Sequence, residues 1–416
     1  MSGVIDFKVT SEVAKLKAVV VHFPGQEVED MTPEYAEKAL YSDILNLAVA
    51  GREYNQFHKT LKRFAEVLEV KDLLREILEK EGPRNNLLRK VCENEGAQCE
   101  LDYLVGLSAE ELTRQLIEGV PLKRDTLSNF LSKRKHALRP LHNFFYTRDS
   151  AVTIGNEALI SRMRSKIRER EAIIMEAIFD HHPRFRTSTF NPNERLPKPV
   201  NAHLEGGDIL VAREDILLVG IGPRSNSAGV DFLIEHFKQK KTVQHIIAQE
   251  VPLSPESFIH LDMVFTLLDE NQCMVYAPLI LQPNSYRTIH IEIDNGKVKR
   301  IHEVENLLTA LRELGMDLEP LYCGGRQDER NQEREQWHSG ANFFAVAPGK
   351  VLGYERNVHT IEELNKHGYE VIRAKDFIKE RVTVDNLKKF VITVEGTELA
   401  RGGGGCRCMT MPICRE

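Results

Sequence analysis

The sequence lacks any apolar run near the ~20 residues that a membrane-spanning helix needs. Its first residues, MSGVIDFKVTSEVAKLK, carry charges throughout and have no apolar core of signal-peptide length. Lysine and arginine form no dominant basic stripe, and the net charge is only −6, which argues against a nucleic-acid-binding protein. Neither a membrane nor a nucleic acid is therefore expected as a partner.

What is present is ordinary for a globular protein: 42% hydrophobic residues, 28% charged residues and unremarkable proline and glycine contents. The length of 416 residues suits one large domain or two smaller ones. The cysteines are odd in number and scattered, which favours reduced thiols and a cytoplasmic location over a disulfide framework. They are Cys92, Cys99, Cys273, Cys323, Cys406, Cys408 and Cys414.

Local patterns predict an α/β scaffold interrupted by a helical section. A β-branched run at 16–23 predicts a strand, and apolar residues at helical spacing predict a helix over 52–69. Residues 72–137 indicate consecutive short helices, one of them starting at the capping box Ser108-Ala109-Glu110-Glu111. We therefore predict an inserted helical domain at 72–137 and a mixed α/β scaffold made of 1–71 and 138–416.

One supersecondary unit, two strands followed by a helix and a third strand, occurs more than once after Pro140. One copy has strands at 208–212 and 216–221, a helix near 227–238 and a strand at 242–247. Another consists of a hairpin at 343–355, a helix at 361–367 and a strand at 369–374. Such repetition indicates units arranged around an axis, although the sequence alone does not give their number.

The segment Arg401-Gly402-Gly403-Gly404-Gly405-Cys406-Arg407-Cys408 is the first candidate for chemistry. Glycines allow close backbone approach to a ligand, and a cysteine beside Arg407 is expected to have a lowered pKa and more thiolate. Two other interpretations stay open at this point. One is a flexible tail with two inert thiols, and the other is a C-x-C metal pair, which the lack of a second close Cys or His pair disfavours.

Three further segments hold polar residues in suggestive patterns. If Ile259-His260-Leu261-Asp262 is a strand, His260 and Asp262 share a face and can share proton transfer and cation binding; a structural histidine is the alternative. His203-Leu204-Glu205-Gly206-Gly207-Asp208 predicts a tight turn before a strand. Asn143-Phe144-Phe145-Tyr146-Thr147-Arg148-Asp149 ends an aromatic run in a charged pair, for which a surface salt bridge is the simplest interpretation.

Together these segments resemble the arginine deiminases of the guanidine-modifying superfamily, over nearly the whole chain and with matching order and spacing. The motifs that carry the resemblance are His22-Phe23-Pro24-Gly25, Met31-Thr32-Pro33, Phe145-Tyr146-Thr147-Arg148-Asp149, Glu205-Gly206-Gly207-Asp208, His260-Leu261-Asp262, Trp337 with Gly340-Ala341-Asn342, Tyr354-Glu355-Arg356-Asn357 and Cys408-Met409-Thr410-Met411-Pro412.

The resemblance implies a five-bladed α/β propeller of repeated ββαβ units carrying an inserted small helical bundle. It also implies hydrolysis of L-arginine to L-citrulline and ammonia, in which Cys408 attacks the guanidinium carbon and His260 protonates the departing ammonia. Water then attacks the covalent thiouronium while His260 takes its proton. No metal and no cofactor are expected, arginine is the expected partner, and a homo-oligomer stays open.

The other site residues implied by the resemblance are Asp149, Glu205 and Asp262, which hold the guanidinium, and Asn143, Arg168 and Arg224, which bind the α-carboxylate. Carboxylates pair bidentately with the N–H fork of a guanidinium and fix its carbon in front of the sulfur. Two arginines for a carboxylate speak against agmatine, which has none. A substituted arginine as substrate and a non-catalytic binding relative are the alternatives, and retention of a nucleophile argues against the second.

Three positions depart from the family pattern. Gly403 stands where the family usually has an arginine that closes the site over substrate, and Arg401 is the candidate replacement. Cys406 stands where a proline is usual and places a second thiol beside the nucleophile. Tyr54-Asn55 replaces a usual His-Asp pair after Glu53. The first departure predicts a more mobile loop, with weaker binding of free arginine or room for a bulkier guanidino compound.

Overall fold

The computed structural model describes residues 3–33, 43–97, 100–195, 201–240 and 242–416, so that Cys99 lies outside the described residues. The α-helices in these ranges are Gln26–Glu29, Leu47–Leu61, Val70–Leu78, Glu81–Glu95, Leu101–Val105, Ala109–Glu118, Leu127–Leu131, Thr147–Ser150, Glu169–His181, Pro192–Arg195, Ser227–Lys240, Ala277–Ile280, Leu307–Glu313, Glu329–Trp337, Val358–Lys366 and Ala374–Ile378. The 3-10 helices are Gly206–Asp208, Glu256–Phe258, Leu261–Met263 and Leu399–Gly402. None of the helices in the described ranges combines the length and apolarity needed to span a membrane.

The strands of the described residues are mostly short. They are Ile5–Asp6, Leu16–Val21, Glu66–Glu69, Val120–Pro121, His136–Leu138, Ala151–Ile154, Glu157–Ile160, Phe185–Arg186, Ser188–Phe190, Ile209–Arg213, Ile216–Ile221, Gln244–Glu250, Phe265–Asp269, Gln272–Val275, Thr288–Asp294, Lys297–Val304, Glu319–Tyr322, Phe344–Ala347, Lys350–Tyr354, Glu370–Arg373, Phe390–Val394 and Met411–Arg415.

The largest sheet, of five strands, contains a unit in which an antiparallel pair is extended by a parallel strand. Ile209–Arg213 pairs antiparallel with Ile216–Ile221, which pairs parallel with Gln244–Glu250. The helix Ser227–Lys240 makes the crossover connection that a parallel pair requires. The ββαβ unit predicted over residues 208–247 is therefore confirmed.

The same three-strand unit recurs in four smaller sheets of the described residues, each with a helix in its crossover. The four units are Ala151–Ile154, Glu157–Ile160 and Ser188–Phe190; Phe265–Asp269, Gln272–Val275 and Glu319–Tyr322; Phe344–Ala347, Lys350–Tyr354 and Phe390–Val394; and Met411–Arg415, Leu16–Val21 and Glu66–Glu69. In the last unit, Met411–Arg415 pairs antiparallel with Leu16–Val21, which joins segments far apart in the sequence. The fold is therefore mixed α/β, built from repeated small sheets.

The helices between residues 70 and 131 pack onto this scaffold through a shared apolar core. Leu74 and Ile77 of one helix belong to the same buried cluster as Ile178 of the helix Glu169–His181 and Val20 of a scaffold strand. Burial of such side chains stabilises the contact by roughly 1.5–3 kcal/mol each. Because one core contains both parts, the boundary of a separate domain at 72–137 stays a prediction.

The predicted helix over 52–69 is wrong in its second half. The helix spans Leu47–Leu61, and the chain then forms the strand Glu66–Glu69, which pairs parallel with Leu16–Val21. Leu68 continues the helical spacing of apolar residues but is buried in that strand. A strand of this kind depends on a partner elsewhere in the chain, and local spacing does not reveal the partner.

Other local predictions are confirmed. The Ser108 side chain accepts a hydrogen bond from the backbone N–H of Glu111 at 3.2 Å, and a helix begins at the next residue, Ala109. The hairpin predicted at 343–355 is formed by Phe344–Ala347 and Lys350–Tyr354. The capping residue and the turn between the two strands are short-range features, so local sequence was sufficient to find them.

Candidate active site

A cavity of about 20 Å³ lies where loops from several parts of the chain meet. This volume holds about one water molecule, so side chains fill most of the space. The lining residues are Asn143, Tyr146, Asp149, Arg168, Arg224, Ile259, His260, Met263, Gly402, Gly403, Gly404 and Cys408. Glu205 and Asp262 are fully buried and contact His260 and Cys408 of this lining. The fold thus brings all eight predicted site residues together.

Cys408 lies between the glycine-rich segment and the strand Met411–Arg415, and its side chain is buried. Its sulfur is 3.7 Å from Oδ2 and 3.9 Å from Oδ1 of Asp262. The side-chain oxygen of Asn342 accepts hydrogen bonds from the backbone N–H groups of Arg407 at 2.9 Å and Cys408 at 3.3 Å. These bonds fix the backbone that carries the sulfur. Asn342 entered the sequence analysis only as part of a family motif.

The thiol of Cys408 is not activated by Arg407, contrary to the prediction from the sequence. Burial raises the pKa of Cys408 well above its usual value, and the carboxylates of Asp262 and Asp149 raise it further. The opposing effect of Arg407 is smaller, because its guanidinium is already paired with Asp262 and Glu12. The resting cysteine is therefore a neutral thiol, and its ionisation needs additional positive charge.

His260 precedes the 3-10 turn Leu261–Met263 and does not lie on a strand, so the condition under which His260 and Asp262 would share a strand face is not met. The turn nevertheless places His260 in the cavity lining and Asp262 beside Cys408. The imidazole ring packs against the backbone of Gly207, where an added Cβ atom would lie 2.4 Å from Nδ1. This approach requires glycine at position 207.

Carboxylates surround the imidazole of His260. Its Nε2 is 3.0 Å from Oε2 of Glu205, and its Nδ1 is 3.7 Å from Oδ1 of Asp149. Burial alone disfavours the imidazolium, but Asp149, Asp208 and Glu205 together outweigh it and raise the pKa of His260 to about 9. His260 is therefore positively charged at neutral pH and able to donate a proton.

Arg168 is buried at the start of the helix Glu169–His181 and pairs with two carboxylates. Its Nη1 is 2.8 Å from Oδ2 of Asp149, and its Nη2 is 2.8 Å from Oε2 of Glu171. Glu171 faces Arg168 because residues three apart are neighbours on a helix. Glu171 is not among the residues predicted from the sequence, although the helical spacing in Arg168-Glu169-Arg170-Glu171 is the signal that identifies it.

Arg224 and His260 share one carboxylate oxygen, Oε2 of Glu205. Nη1 of Arg224 is 3.4 Å from this oxygen, and Nε2 of His260 is 3.0 Å from it. The other oxygen accepts a hydrogen bond from the backbone N–H of Arg164 at 2.9 Å. Burial disfavours the ionised carboxylate, but Arg224 and His260 outweigh burial and lower the pKa of Glu205 to about 2. Glu205 is therefore an anion throughout the neutral range.

A buried group of charges next to the cavity consists of Arg407, Glu12 and Arg148. Arg407 donates to Asp262 at 2.8 Å and to the two oxygens of Glu12 at 3.0 and 3.1 Å. Nη1 of Arg148 lies 3.9 Å from Glu12. The surface salt bridge considered for Arg148-Asp149 is wrong, because both residues are buried and Asp149 faces the cavity. No motif around Glu12 pointed to this role.

The glycine-rich segment is packed against tyrosines. Gly404 donates its backbone N–H to the hydroxyl of Tyr146 at 3.2 Å and accepts a hydrogen bond from the hydroxyl of Tyr354 at 3.0 Å. An added Cβ atom at Gly404 would lie 2.5 Å from the ring of Tyr146. Residues 402–405 are buried. The interpretation as a flexible tail is therefore wrong.

Glu53 anchors the turn that leads into the glycine-rich segment. Its carboxylate accepts hydrogen bonds from the consecutive backbone N–H groups of residues 397–399, at 2.9–3.2 Å. The turn Leu399–Gly402 follows directly. The helix Leu47–Leu61 therefore positions the loop before the nucleophile. In the sequence, Glu53 stood out only as the neighbour of the unusual pair Tyr54-Asn55.

Arg401 does not take over the role of the arginine that the family usually has at the position of Gly403. Gly403 has a φ of 87°, in the left-handed region. The guanidinium of Arg401 is 2.7 Å from Asp43 and 3.1 Å from Glu398. It does not line the cavity. Arg401 is therefore held outside the site and is not placed to replace the family arginine.

Cys406 and Tyr54, two other departures, are core residues. Cys406 is fully buried in an apolar cluster, and burial raises the pKa of its thiol. Among the described residues, Cys406 and Cys408 belong to no group of ligands close enough to hold a metal ion, so the C-x-C metal pair is not formed. Tyr54 is fully buried, with ring centroids 5.1 Å from Phe23 and 5.8 Å from Phe57.

One group in the described part of the chain has the spacing of a cation site. Single ligand atoms of Asp149, Glu205 and His260 lie within 4.8 Å of one another, whereas the sequence had indicated no zinc ligand set here. The guanidinium groups of Arg168 and Arg224 already supply positive charge to two of these carboxylates and oppose a divalent cation. Metal-free chemistry therefore stays a prediction.

Comparisons with known proteins show the family to which the chain belongs. A family model described as arginine deiminase matches residues 37–415. The arginine deiminase of Listeria monocytogenes serotype 4b is 34% identical over 430 residues, covering 98% of this chain and 97% of the relative. The arginine deiminase of Bacillus thuringiensis is 32% identical over 433 residues, covering 98% of each chain.

Solved structures share the mixed α/β fold at low identity. The N-terminal domain of ArgZ bound to product, an arginine dihydrolase from cyanobacteria, has a TM-score of 0.54 at 13% identity, covering 96% of this chain and 98% of that domain. AgrE in complex with ornithine and NAD⁺ has a TM-score of 0.54 at 14% identity, and the match covers 96% of this chain but 40% of AgrE. The family match over nearly the whole length and the full-length relatives lead to one conclusion: the chain belongs to the arginine deiminase family.

Proposed function

We propose that this chain hydrolyses L-arginine to L-citrulline and ammonia, with Cys408 as the nucleophile. The observation that carries the proposal is one buried thiol, a protonated imidazole and three carboxylates gathered with two arginines around one small cavity. A binding pocket for a guanidinium needs neither a nucleophile nor an acid, so the combination supports catalysis. The full-length relatives named arginine deiminase support this substrate.

Substrate binding is proposed to exchange buried ion pairs. A cavity of about 20 Å³ has no room for arginine. Arg168 pairs with Asp149 and Arg224 lies on Glu205, so arginines of the protein hold two of the carboxylates that the substrate's guanidinium needs. The incoming guanidinium takes over Asp149 and Glu205, and the substrate's α-carboxylate takes the released Arg168 and Arg224.

This exchange accounts for a preference among guanidino compounds. L-arginine brings both a cation and an anion, so every buried charge keeps a partner. Agmatine brings no carboxylate, so Arg224 loses the partner it had in Glu205 and Arg168 keeps only Glu171, and an unpaired buried charge costs several kcal/mol. A substituted arginine keeps both charges and is the second candidate. The absence of a side chain at Gly403, in the cavity lining, is the observation that favours a bulkier substrate.

The substrate also supplies the positive charge that ionises Cys408. A guanidinium held in front of the sulfur favours the thiolate, and the thiol proton leaves to solvent. The sulfur electron pair then forms a C–S bond with the guanidinium carbon. The amino group of the tetrahedral adduct takes the proton of His260 and leaves as ammonia, which gives a thiouronium bound to Cys408.

The second half of the reaction uses His260 in its neutral form. His260 accepts a proton from water as the water oxygen attacks the thiouronium carbon. The C–S bond then breaks, its electron pair returns to the sulfur of Cys408, and the remaining hydroxyl proton of the adduct passes to that sulfur, which restores the thiol as citrulline is released. Because one group must both donate and accept a proton, its pKa can be neither too high nor too low. The carboxylates of Glu205 and Asp149 help to set the pKa of His260.

The test is an assay of ammonia and ureido product from L-arginine, agmatine and Nω-methyl-L-arginine at equal concentrations. We expect turnover of L-arginine, little turnover of agmatine, and none from Cys408→Ala. Agmatine turnover at the rate of L-arginine would contradict the role of the α-carboxylate. Absence of ammonia from every guanidine would contradict the proposal and favour a non-catalytic relative.

Further proposals concern architecture and setting. The recurrence of one three-strand unit in five sheets of the described residues supports a five-bladed α/β propeller. The consecutive helices between residues 70 and 131 support an inserted helical domain at 72–137. Cys273, Cys323, Cys406, Cys408 and Cys414 are free thiols, which supports a reducing, cytoplasmic location. Chemistry without metal or cofactor and a homo-oligomeric state are proposed on the family resemblance alone.

A further inference from the structure

We infer that a divalent transition-metal ion binds to His245, His290 and His302, on one face of the largest sheet. These histidines do not line the active-site cavity, and the proposed reaction does not use them. They lie on three adjacent strands: Gln244–Glu250, Thr288–Asp294 and Lys297–Val304.

The strand register directs the three side chains to the same side of the sheet. His290 and His302 are directly opposite each other on neighbouring strands. His245 is opposite Glu292, which lies two residues from His290 on the same strand and therefore shares its face. Three imidazoles and one carboxylate thus occupy a single patch.

Two of the rings are already close to the geometry of shared coordination. Nδ1 of His245 is 3.0 Å from Nε2 of His290, and the two ring centroids are 5.1 Å apart. Two imidazoles on one tetrahedral Zn²⁺ place their nitrogens about 3.3 Å apart, because each Zn–N bond is about 2.0–2.1 Å. A shift of a few tenths of an ångström, together with a rotation of both rings that turns the lone pairs from each other toward the ion, therefore lets both nitrogens bind it.

His302 supplies the third ligand after a rotation of its side chain. Its ring centroid is 5.1 Å from that of His290, and its Nδ1 is buried with no hydrogen-bond partner among the described residues. The three rings as placed do not bring one nitrogen each within 4.8 Å of one another. His302 is half-buried on the edge strand Lys297–Val304, where rotation is least hindered, and coordination gives its nitrogen a partner.

The patch carries charges of both signs, because Arg300 lies directly opposite Glu292 and shares the face of His302. The carboxylates of Glu292 and Glu313 both act electrostatically on the ring of His290. Glu292, on the same face, is the candidate for a fourth ligand. Neutral imidazoles with one carboxylate select Zn²⁺, Co²⁺, Ni²⁺ or Cu²⁺ over Mg²⁺ and Ca²⁺, which prefer oxygen ligands.

An ion at this place ties the hairpin of residues 288–304 to the interior of the sheet. Within the described residues, the outer strand of that hairpin pairs with one strand of the sheet, and it carries the exposed side chain of Ile301. A ligand that binds the folded state alone stabilises it in proportion to the logarithm of its concentration over Kd. The site is therefore structural, and its effect is on stability and not on turnover.

The test is titration of the full-length, chelator-stripped protein with Zn²⁺ and with Co²⁺, followed by calorimetry and thermal denaturation. We expect one ion to bind with a micromolar or lower Kd, an increase in Tm, and a visible Co²⁺ absorption typical of four-coordinate sites. His290→Ala and His302→Ala should each weaken binding at least tenfold. His359→Ala, at an exposed histidine, is the matched control and should bind as the wild type does.

The group formed by Asp149, Glu205 and His260 is the competing site. If ion binding survives His302→Ala and is lost in Glu205→Gln, the ion occupies that group and the inference is wrong. Absence of binding to the wild type also overturns it. Should His290→Ala fail to fold, His302→Ala and His302→Gln on the edge strand decide the question, since neither disturbs the buried sheet.

Discussion

Arg168 and Asp149 form a buried ion pair of 2.8 Å in the lining of the cavity. Asp149 also lies 3.7 Å from His260, so the pair connects substrate binding to the proposed acid. A substrate that displaces Arg168 gains new ion pairs and loses old ones. The affinity for substrate therefore depends on the difference in free energy between the ion pairs that form and those that break, and each of these interactions is strong.

Arg168→Ala is expected to impair turnover of L-arginine selectively. The change removes a partner of the α-carboxylate and leaves Asp149 and Glu171 without their shared cation. We expect kcat/KM for L-arginine to fall by the equivalent of about 2–5 kcal/mol, with a lower Tm and little further loss for agmatine. Steady-state kinetics on both substrates measure this. Lys166→Ala, at an exposed neighbour, is the control, and equal losses on both substrates would mean that Arg168 is purely structural.

Cys408→Ala and Cys406→Ala are expected to have opposite effects on activity. Removal of a covalent nucleophile lowers kcat by at least about a thousandfold, so Cys408→Ala should be inactive yet folded. Cys406 is buried in an apolar cluster, so Cys406→Ala should lose some stability and keep most activity. Single-turnover assays and thermal denaturation of both variants test this. An active Cys408→Ala beside an inactive Cys406→Ala contradicts the assignment.

The pKa of His260, raised to about 9, predicts an alkaline limit to both activity and stability. Because folding raises this pKa, protonated His260 contributes to the free energy of unfolding fully below its ordinary value of 6.5, and the contribution is lost as pH rises through about 9. The first chemical step needs the same proton. Profiles of kcat/KM and Tm between pH 6 and 10 should therefore decline together.

Glu205→Gln is the matched variant for this prediction. It removes one of the carboxylates that raise the pKa of His260, so the decline should move to lower pH. An unchanged alkaline limb in Glu205→Gln would assign that limb to a group other than His260.

The sequence predicted the site residues that belong to motifs, and it did not predict those outside motifs. Cys408, His260 and Glu205 stand in motifs and meet in one cavity. Glu12 and Glu53 touch the machinery from distant segments and stand in no motif tied to the chemistry, so only the fold reveals them.

Charge states were predicted less well than positions. Arg407 adjoins Cys408 in sequence, which predicted an activated thiol, but its guanidinium points to Asp262 and Glu12. Neighbours in sequence do not determine where a long side chain finds its counter-ion, because burial and distant carboxylates decide that. The shared strand face considered for His260 and Asp262 is also not formed, since a 3-10 turn brings both residues to the site.

Gly403→Arg distinguishes the effect of the backbone conformation at position 403 from the effect of the missing arginine side chain. The φ of 87° at Gly403 makes any other residue cost about 1–2 kcal/mol, so Gly403→Ala and Gly403→Arg should both lower Tm by similar amounts. Only Gly403→Arg should lower KM for L-arginine, because it adds a charged side chain to the cavity lining. If both variants change KM equally, backbone strain and not the side chain controls binding.

Removal of metal is expected to leave the chemistry intact. Prolonged treatment with a chelator should not change kcat for L-arginine, because the proposed nucleophile is a thiol and two arginines oppose a cation near His260. A thiol-alkylating reagent should inactivate the enzyme, and L-arginine should protect it. Loss of activity that a divalent ion restores would contradict a metal-free mechanism.

The pairing of Met411–Arg415 with Leu16–Val21 bears on the stage of synthesis at which this protein can become active. On the ribosome, the segment that contains Leu16–Val21 is made early and its sheet edge stays open until residues 411–415 emerge. Cys408 lies just before that strand, so the event that closes the sheet also delivers the nucleophile. We therefore expect that a nascent chain consumes no arginine, the amino acid that its own synthesis requires, before this pairing forms.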